Sequence, residues 1–345
     1  MSSLANVMEV VVKKILIVAL SLVFILLVLC MDSEAQSSNP CLSSFDAWDW
    51  FVIPLGATCQ YLGIFVFSLP CTIPNAVCSP DPECLSCQKD SAQGGHPIDL
   101  ATGNTYIEQK DLSIPGLSGG LSLTRTWNSM WPSSESTFQV GLFGPNWRST
   151  YEERVFLGFD NYMRYSRGNG DFWAFGYNGS TYSAVAPANA LATLAAGSSY
   201  WTLTFQNGEV RRFDNATGNL IAIIDRNGNT TTLAYDSSGR LSTVTDPASR
   251  TLTFSYVGSS TLVTGVTASV GPALTYAYDT QGRLSQVTKP DSTTISFAYN
   301  SQSLITSVTD SNGKVLESHT YDSNLRGLTS SRAGGVEALT ITYIQ

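Results

Sequence analysis

Between residues 252 and 343 the chain alternates apolar and small polar positions in short runs. Leu252, Phe254 and Tyr256, then Leu274, Tyr276 and Tyr278, then Ile295, Phe297 and Tyr299, and finally Leu339, Ile341 and Tyr343 are separated mostly by Thr, Ser or Ala. Period two projects each triad from one face of an extended strand and the small residues from the other. A helix would turn residues two apart to different sides, which excludes a buried helix here. Turn sequences bound the runs. Asp236–Gly239 and Asp279–Gly282 follow a tyrosine, whereas Asp225–Gly228 and Asp310–Gly313 close the opposite end. Asp bonds to its own downstream backbone and Gly or Asn accepts positive φ, so each segment reads as a hairpin loop.

The hairpins repeat. Phe213, Tyr235, Tyr256, Tyr278, Tyr299, Tyr321 and Tyr343 follow one another at separations of 22, 21, 22, 21, 22 and 22 residues. A second column, Ile223, Val244, Val266, Val287 and Val308, keeps step at 21, 22, 21 and 21. A lone hairpin cannot bury its apolar face, and stacking hairpins side by side supplies the missing cover. About six such units fill residues 211–345, with the seven aromatics as the expected repeat core. The fifth unit departs from the pattern, because Glu317 and His319 occupy triad positions. Upstream, residues 94–210 also lack helical periodicity and read as a separate β domain. The alanine-rich stretch Ala184–Ala196 is the exception, read as a short helix or a small-residue loop. The predicted fold class is therefore all-β: a β-rich domain followed by a spiral of stacked hairpins.

Composition narrows the function classes. Charged residues make up 13% of the chain, the formal net charge is −8, and Lys and Arg form no cluster beyond the first residues. Nucleic-acid affinity rests on such clusters, so no nucleic-acid partner is expected. Lys13 and Lys14, the apolar run Ile15–Cys30, and the small residues Ser33 and Ala35 make a secretory signal, with residues 1–35 removed by cleavage after Ala35. An uncleaved segment anchoring the chain is the alternative, and the only expected contact with a membrane. A lipid-modified Cys30 is a third reading, but Leu27, Val28 and Leu29 are not the small residues expected before it.

Export places residues 36–93 in an oxidising compartment. Cys41, Cys59, Cys71, Cys78, Cys84 and Cys87 all lie there, and no cysteine follows. They read as disulfides of open pairing, with a zinc knuckle on Cys84 and Cys87, helped by Cys71 and Cys78, as the competing reading. The uncharged stretch Phe51–Cys71 is interrupted by Pro54, Gly56, Gln60 and Gly63, and reads as a disulfide-tied apolar patch packing on the body of the protein. A secreted or cell-surface location follows.

Two stretches carry a family resemblance. Tyr235-Asp236 through Gly239-Arg240-Leu241 and Tyr278-Asp279 through Gly282-Arg283-Leu284 resemble the tyrosine-aspartate repeats of the Rhs family, and Val244-Thr245-Asp246-Pro247 resembles the second half of that repeat. Gly95 to Asn104, Asp111-Leu112, Pro115-Gly116, Leu121, Arg125, Trp127 and Gly144-Pro145-Asn146-Trp147 resemble the domain that precedes such repeats. There the pattern more often has Tyr at Trp127 and Gly at Asn146. The resemblance implies hairpins spiralling into a hollow shell that encloses a toxin in bacterial systems, or serves adhesion in related surface proteins. It implies protein partners or further Rhs repeats. The family's Asp-Pro-x-Gly-Leu motif for self-cleavage is absent, since Ala248, Ser249 and Arg250 follow Asp246-Pro247. The array is accordingly read as an open part of a spiral.

No enzyme and no cofactor are expected. His96 and His319 stand far apart without a nucleophile motif beside either, and His319 reads as a packing residue. Asp225-Arg226-Asn227-Gly228-Asn229 lacks the further acids of a calcium loop and reads as a turn. Gly116, Gly119 and Gly120 precede a strand-like run and not the helix that a phosphate loop requires. Trp127, Trp131, Trp147, Tyr151, Trp173, Phe175, Tyr177 and Trp201 are read mainly as core, with a cell-surface glycan as the alternative ligand of any that are exposed.

Overall fold

The computed structural model describes residues 98–130, 140–158, 161–187 and 189–343, and upstream the strands Val52–Leu55, Thr58–Tyr61, Ser68–Pro70 and Gln93–Gly94. These fall in one unit, Val52–Gln345. The predicted signal segment, the cysteine chemistry, His96 and Trp131 lie outside the described residues; of Cys59 only its place in the Thr58–Tyr61 strand is described.

The fold is all-β. A nineteen-stranded antiparallel sheet runs from Arg154–Leu157 to Val336–Thr340, and its strands lie side by side in strict chain order. Every connection is therefore a hairpin, and the sheet continues without a break across residue 210. The stretch Ala184–Ala196 is neither helix nor loop alone. It contributes the end of one strand, Tyr182–Ala186, and the whole of the next, Ala192–Ala196. Alanine's helix propensity is worth only tenths of a kcal/mol per residue, on the order of 0.5. It yields to ladder hydrogen bonds offered on both sides and to the burial of Leu194 between exposed Thr193 and half-buried Ala195.

Alternation sets which side chains are buried. In Thr251–Tyr256, Leu252 and Phe254 are buried while Thr253 and Ser255 are exposed, and Ala273–Tyr278 and Thr294–Tyr299 bury Leu274, Tyr276, Ile295 and Phe297 likewise. Val244, Val266, Val287 and Val308 join the same core, with Ile223 packed half-buried against it. The first strand of the sheet is covered by its own later chain. Val155 donates its N–H to the Gly218 carbonyl at 2.9 Å, and Leu220 donates to Glu153 at 3.1 Å. The strip thus curls until its eighth strand meets its first. Gly218 is required there, because its φ is +70° and a Cβ would fall 2.0 Å from the Val155 carbonyl oxygen.

A smaller antiparallel sheet, in the order Trp147–Ser149, Leu121–Asn128, Tyr106–Ile114, packs on the apolar face of the hairpins. This sheet and the segments flanking Trp147–Ser149 supply an aromatic contact to each of four successive units. Tyr151 meets Phe254 at 6.5 Å, Phe143 meets Tyr276 at 4.8 Å, Trp147 meets Phe297 at 5.2 Å, and Trp127 meets Tyr321 at 6.4 Å. Tilted and edge-to-face pairs of this kind contribute about 0.5–1.5 kcal/mol each beyond the burial of area.

Candidate functional site

The polar residues of the repeat hold one hairpin to the next. Tyr235, Tyr256, Tyr278, Tyr299 and Tyr321 each end a strand and Tyr343 follows Val336–Thr340, and each hydroxyl donates to the carbonyl of the residue that opens the strand before. Tyr235 reaches Leu220 at 2.8 Å, Tyr256 reaches Leu241 at 2.8 Å, and Tyr278 reaches Val263 at 2.6 Å. Tyr299 reaches Leu284 at 2.8 Å, Tyr321 reaches Ile305 at 2.7 Å, and Tyr343 reaches Gly327 at 2.7 Å. The acceptor residue is the one opposed, at a β-bulge, by the aromatic of the unit before: Leu220 by Phe213, Leu241 by Tyr235, Val263 by Tyr256. Phe213 is fully buried, whereas Tyr235, Tyr256, Tyr278, Tyr299, Tyr321 and Tyr343 are half-buried, ring inward and hydroxyl bound. Burial raises the pKa of Tyr299 to about 12, so the phenol remains a donor at any physiological pH. Tyr278→Phe deletes one such bond and strands a carbonyl, and should lower stability by about 0.5–1.5 kcal/mol in urea unfolding.

The turn after every second tyrosine adds a further link. Asp236 accepts the backbone N–H groups of Ser238 and Arg240 on Oδ1 and the Arg240 Nε on Oδ2 at 2.8 Å. Asp279 with Arg283 and Asp322 with Arg326 repeat this arrangement. Each arginine lies over the tyrosine of the following unit: Arg240 is 4.6 Å from the Tyr256 ring, Arg283 4.7 Å from Tyr299, and Arg326 3.9 Å from Tyr343. Units with the Asp-Arg turn thus alternate with units whose tyrosine it covers. Gly239 and Gly282 take φ of +75° and +74° in these turns, and Leu325 takes +67° at the matching place.

The carboxylates in these turns sit below their ordinary pKa. For Asp236 the backbone N–H of Arg240 is the largest cause; for Asp279 and Asp322 partial burial opposes the shift and is outweighed by the N–H and guanidinium of the partner arginine. A depressed carboxyl pKa contributes stability above the unfolded value of about 3.9, and that stability is lost as pH falls through the folded value. Stability should therefore decline on acidification from about pH 5 to about pH 3, with a shallower slope in Asp279→Asn, as read from thermal melts across pH.

The preceding domain is keyed into this array by one buried ion pair. Arg125 and Asp111 have side chains 1% and 5% exposed and make a two-point contact, Nε to Oδ2 at 2.5 Å and Nη2 to Oδ1 at 2.8 Å. Tyr276, from the third-last position of its triad strand, donates its hydroxyl to the same Asp111 Oδ2 at 2.7 Å. The guanidinium lies 4.8 Å from the Trp147 ring and 5.4 Å from those of Phe143 and Tyr276. Burial opposes its charge, but Asp111 outweighs burial and raises its pKa. Backbone bonds add to the junction, with Val263 donating to Leu142 at 2.8 Å and Gly327 to Gly103 at 2.9 Å.

Comparison with known families fits this division of labour. Residues 95–175 match the domain of unknown function DUF6531, and residues 215–256, 259–294 and 278–315 match the RHS repeat. The chain is an Rhs-repeat protein. Its sequence finds no match among curated proteins. Among solved structures, the Rhs-repeat chain is similar to TcdB2-TccC3, at 15% identity over 67% of this chain and 12% of that one, with a TM-score of 0.31. It is also similar to the Photorhabdus luminescens Tc holotoxin pore carrying the TccC3-D651A mutation, at 12% identity over 69% and 14%, with a TM-score of 0.29. The chain spans less than a sixth of the length of either structure.

The motif residues of the domain preceding the Rhs repeats serve packing. Asp111, Arg125 and Trp147 form the keyed junction just described, Trp127 packs against Tyr321, and Asn146 adopts φ +64°, the left-handed region that favours Gly at this place in the family pattern. In the Rhs array the fifth unit replaces three core positions together. Glu317, His319 and Ser330 stand where the unit before has Ile295, Phe297 and Val308. His319 is buried with Nε2 3.5 Å from Glu317 Oε2, opposite Ser330 on the next strand. Its ring nitrogens take no hydrogen bond among the described residues. Asp225 spends its carboxylate on the N–H groups of Asn227 and Asn229 and the Asn229 side chain, the role of a turn residue.

The aromatic residues divide by environment. Trp127, Trp147, Tyr151 and Phe175 are buried core. Trp173 borders a cleft of about 450 Å³ with Phe205, but Arg167 lies 5.1 Å over the Trp173 ring and Arg211 5.4 Å over Phe205. Tyr177, 43% exposed, and the half-buried Trp201 remain, together with half-buried Tyr182.

Proposed function

We propose that this Rhs-repeat chain is a non-catalytic, exported structural protein: a wall segment of an Rhs-type shell, braced by its preceding domain and built to associate with another polypeptide in toxin delivery or contact-dependent competition. The observation that carries this reading is where the repeat's polar chemistry is spent. Tyrosine hydroxyls bond to the preceding strand, turn aspartates close their own turns and hold the arginines, and the arginines lie over the tyrosine of the following unit, so the motif builds wall. Its domains in this reading are the signal at 1–35, a disulfide-tied region at 36–93, the bracing domain from 94, and the hairpins to 345.

The association surface is the outer edge of Val336–Thr340, which pairs with no strand among the described residues and exposes Val336, Glu337, Ala338 and Thr340. Such an edge is a template for strand addition. Ile341 donates its N–H inward to Leu328 at 2.8 Å, so by alternation the Ala338 N–H faces outward. In analytical ultracentrifugation the purified chain should associate as its concentration rises, and Ala338→Pro, with an unchanged melting temperature, should remain monomeric. A wild-type chain that is monomeric throughout removes this edge as the interaction surface.

A further inference from the structure

We infer that Tyr177, Tyr182 and Trp201 form a binding platform for a neutral oligosaccharide whose chain turns between successive sugars. Three strands place them in a row: Phe172–Tyr177, Tyr182–Ala186 and Tyr200–Phe205. Tyr177 and Tyr182 face each other across a hairpin with ring centroids 5.0 Å apart, and Tyr182 and Trp201 are 5.7 Å apart. Tyr182 and Trp201 rest on the core with their rims uncovered, while Tyr177 is 43% exposed. Unlike Trp173 and Phe205, none of the three has a guanidinium over its ring among the described residues. Tyr177 offers the most ring surface to a ligand, and half-buried Tyr182 and Trp201 add the part of their rings that the core leaves uncovered.

The surroundings select the ligand's chemistry. The loops at this end of the sheet, 178–181 and 197–199, read Asn-Gly-Ser-Thr and Gly-Ser-Ser, with amides and hydroxyls and no charge. Both are fixed: Asn178 Oδ1 accepts the N–H groups of Ser180 and Thr181, and Asn215 Nδ2 donates to the Gly197 carbonyl at 2.9 Å. The loops themselves carry no cation for a phosphate or an acidic chain, and the Arg212 guanidinium beside them is stacked 4.6 Å over the Tyr200 ring. Sugar rings offer apolar C–H faces to aromatics and hydroxyls to such loops. Successive aromatic rings are inclined by 51° and 66°. A flat, rigid chain cannot lie on all three, whereas a coiled β-1,3-linked glucan presents ring faces that rotate along its length.

Isothermal titration of the full chain with laminarihexaose and, separately, with the flat β-1,4-linked cellohexaose tests this. Laminarihexaose should bind, and Tyr177→Ala and Trp201→Ala should each weaken binding about tenfold at an unchanged melting temperature. Trp173→Phe, whose ring lies under Arg167, should bind as wild type. Because Tyr177 is exposed, its variant reports even where Trp201→Ala loses stability. No binding of either sugar, affinity retained in both variants, or tighter binding of cellohexaose would overturn the inference.

Discussion

Replacing Arg125 with alanine is expected to destabilise the protein by about 3–5 kcal/mol, because it leaves Asp111 as an uncompensated carboxylate in a buried aromatic cage. The cost arises from the partner left behind. Among the described residues Asp111 would retain only the Tyr276 hydroxyl, which bonds it at 2.7 Å. Removing both charges together, as Arg125→Met with Asp111→Leu, should restore most of the loss, since apolar replacement of a buried pair is often close to neutral. Urea midpoints of the single and double variants measure this directly. A single variant as stable as wild type would show that the pair is solvated, against its exposures of 1% and 5%.

Trp147→Ala is expected to cost a comparable amount, about 3–5 kcal/mol, from lost burial and the cavity left behind. Trp147 is fully buried, sits edge-on to Phe297 at 5.2 Å and underlies the Arg125 guanidinium at 4.8 Å. It therefore couples the preceding domain to the hairpins as well as filling space. Limited proteolysis should report this coupling, with cleavage in the preceding domain and in the hairpins rising together. If only the preceding domain becomes sensitive, the hairpin array stands without its brace.

These two sites show how far the sequence could be read. The hairpins were legible because their information is local: period two, Asp-Gly turns and a 21–22-residue spacing each act over a few residues. The tyrosine column was equally visible, but its role was not. Periodicity marks a ring that faces the core and says nothing of a hydroxyl reaching a carbonyl fifteen or sixteen residues back. Asp322-Arg326 escaped notice because Leu325 stands where the other turns have Gly, and only the backbone shows it at φ +67°. Glycan candidates were legible as aromatics, yet the sequence could not tell Trp173, lying under an arginine, from Tyr177, lying open.

By itself the sequence determined strand, turn and repeat, since alternation and turn chemistry fix which way each side chain points before any long-range contact forms. Only the tertiary structure decided that Asp111 and Arg125 meet Tyr276 more than 150 residues later, that the sheet closes its first edge on Gly218, and which aromatics stay uncovered. Those outcomes depend on how strands from distant parts of the chain are brought face to face, and pairing of that kind is set by the packing of the whole core and leaves no local pattern to read.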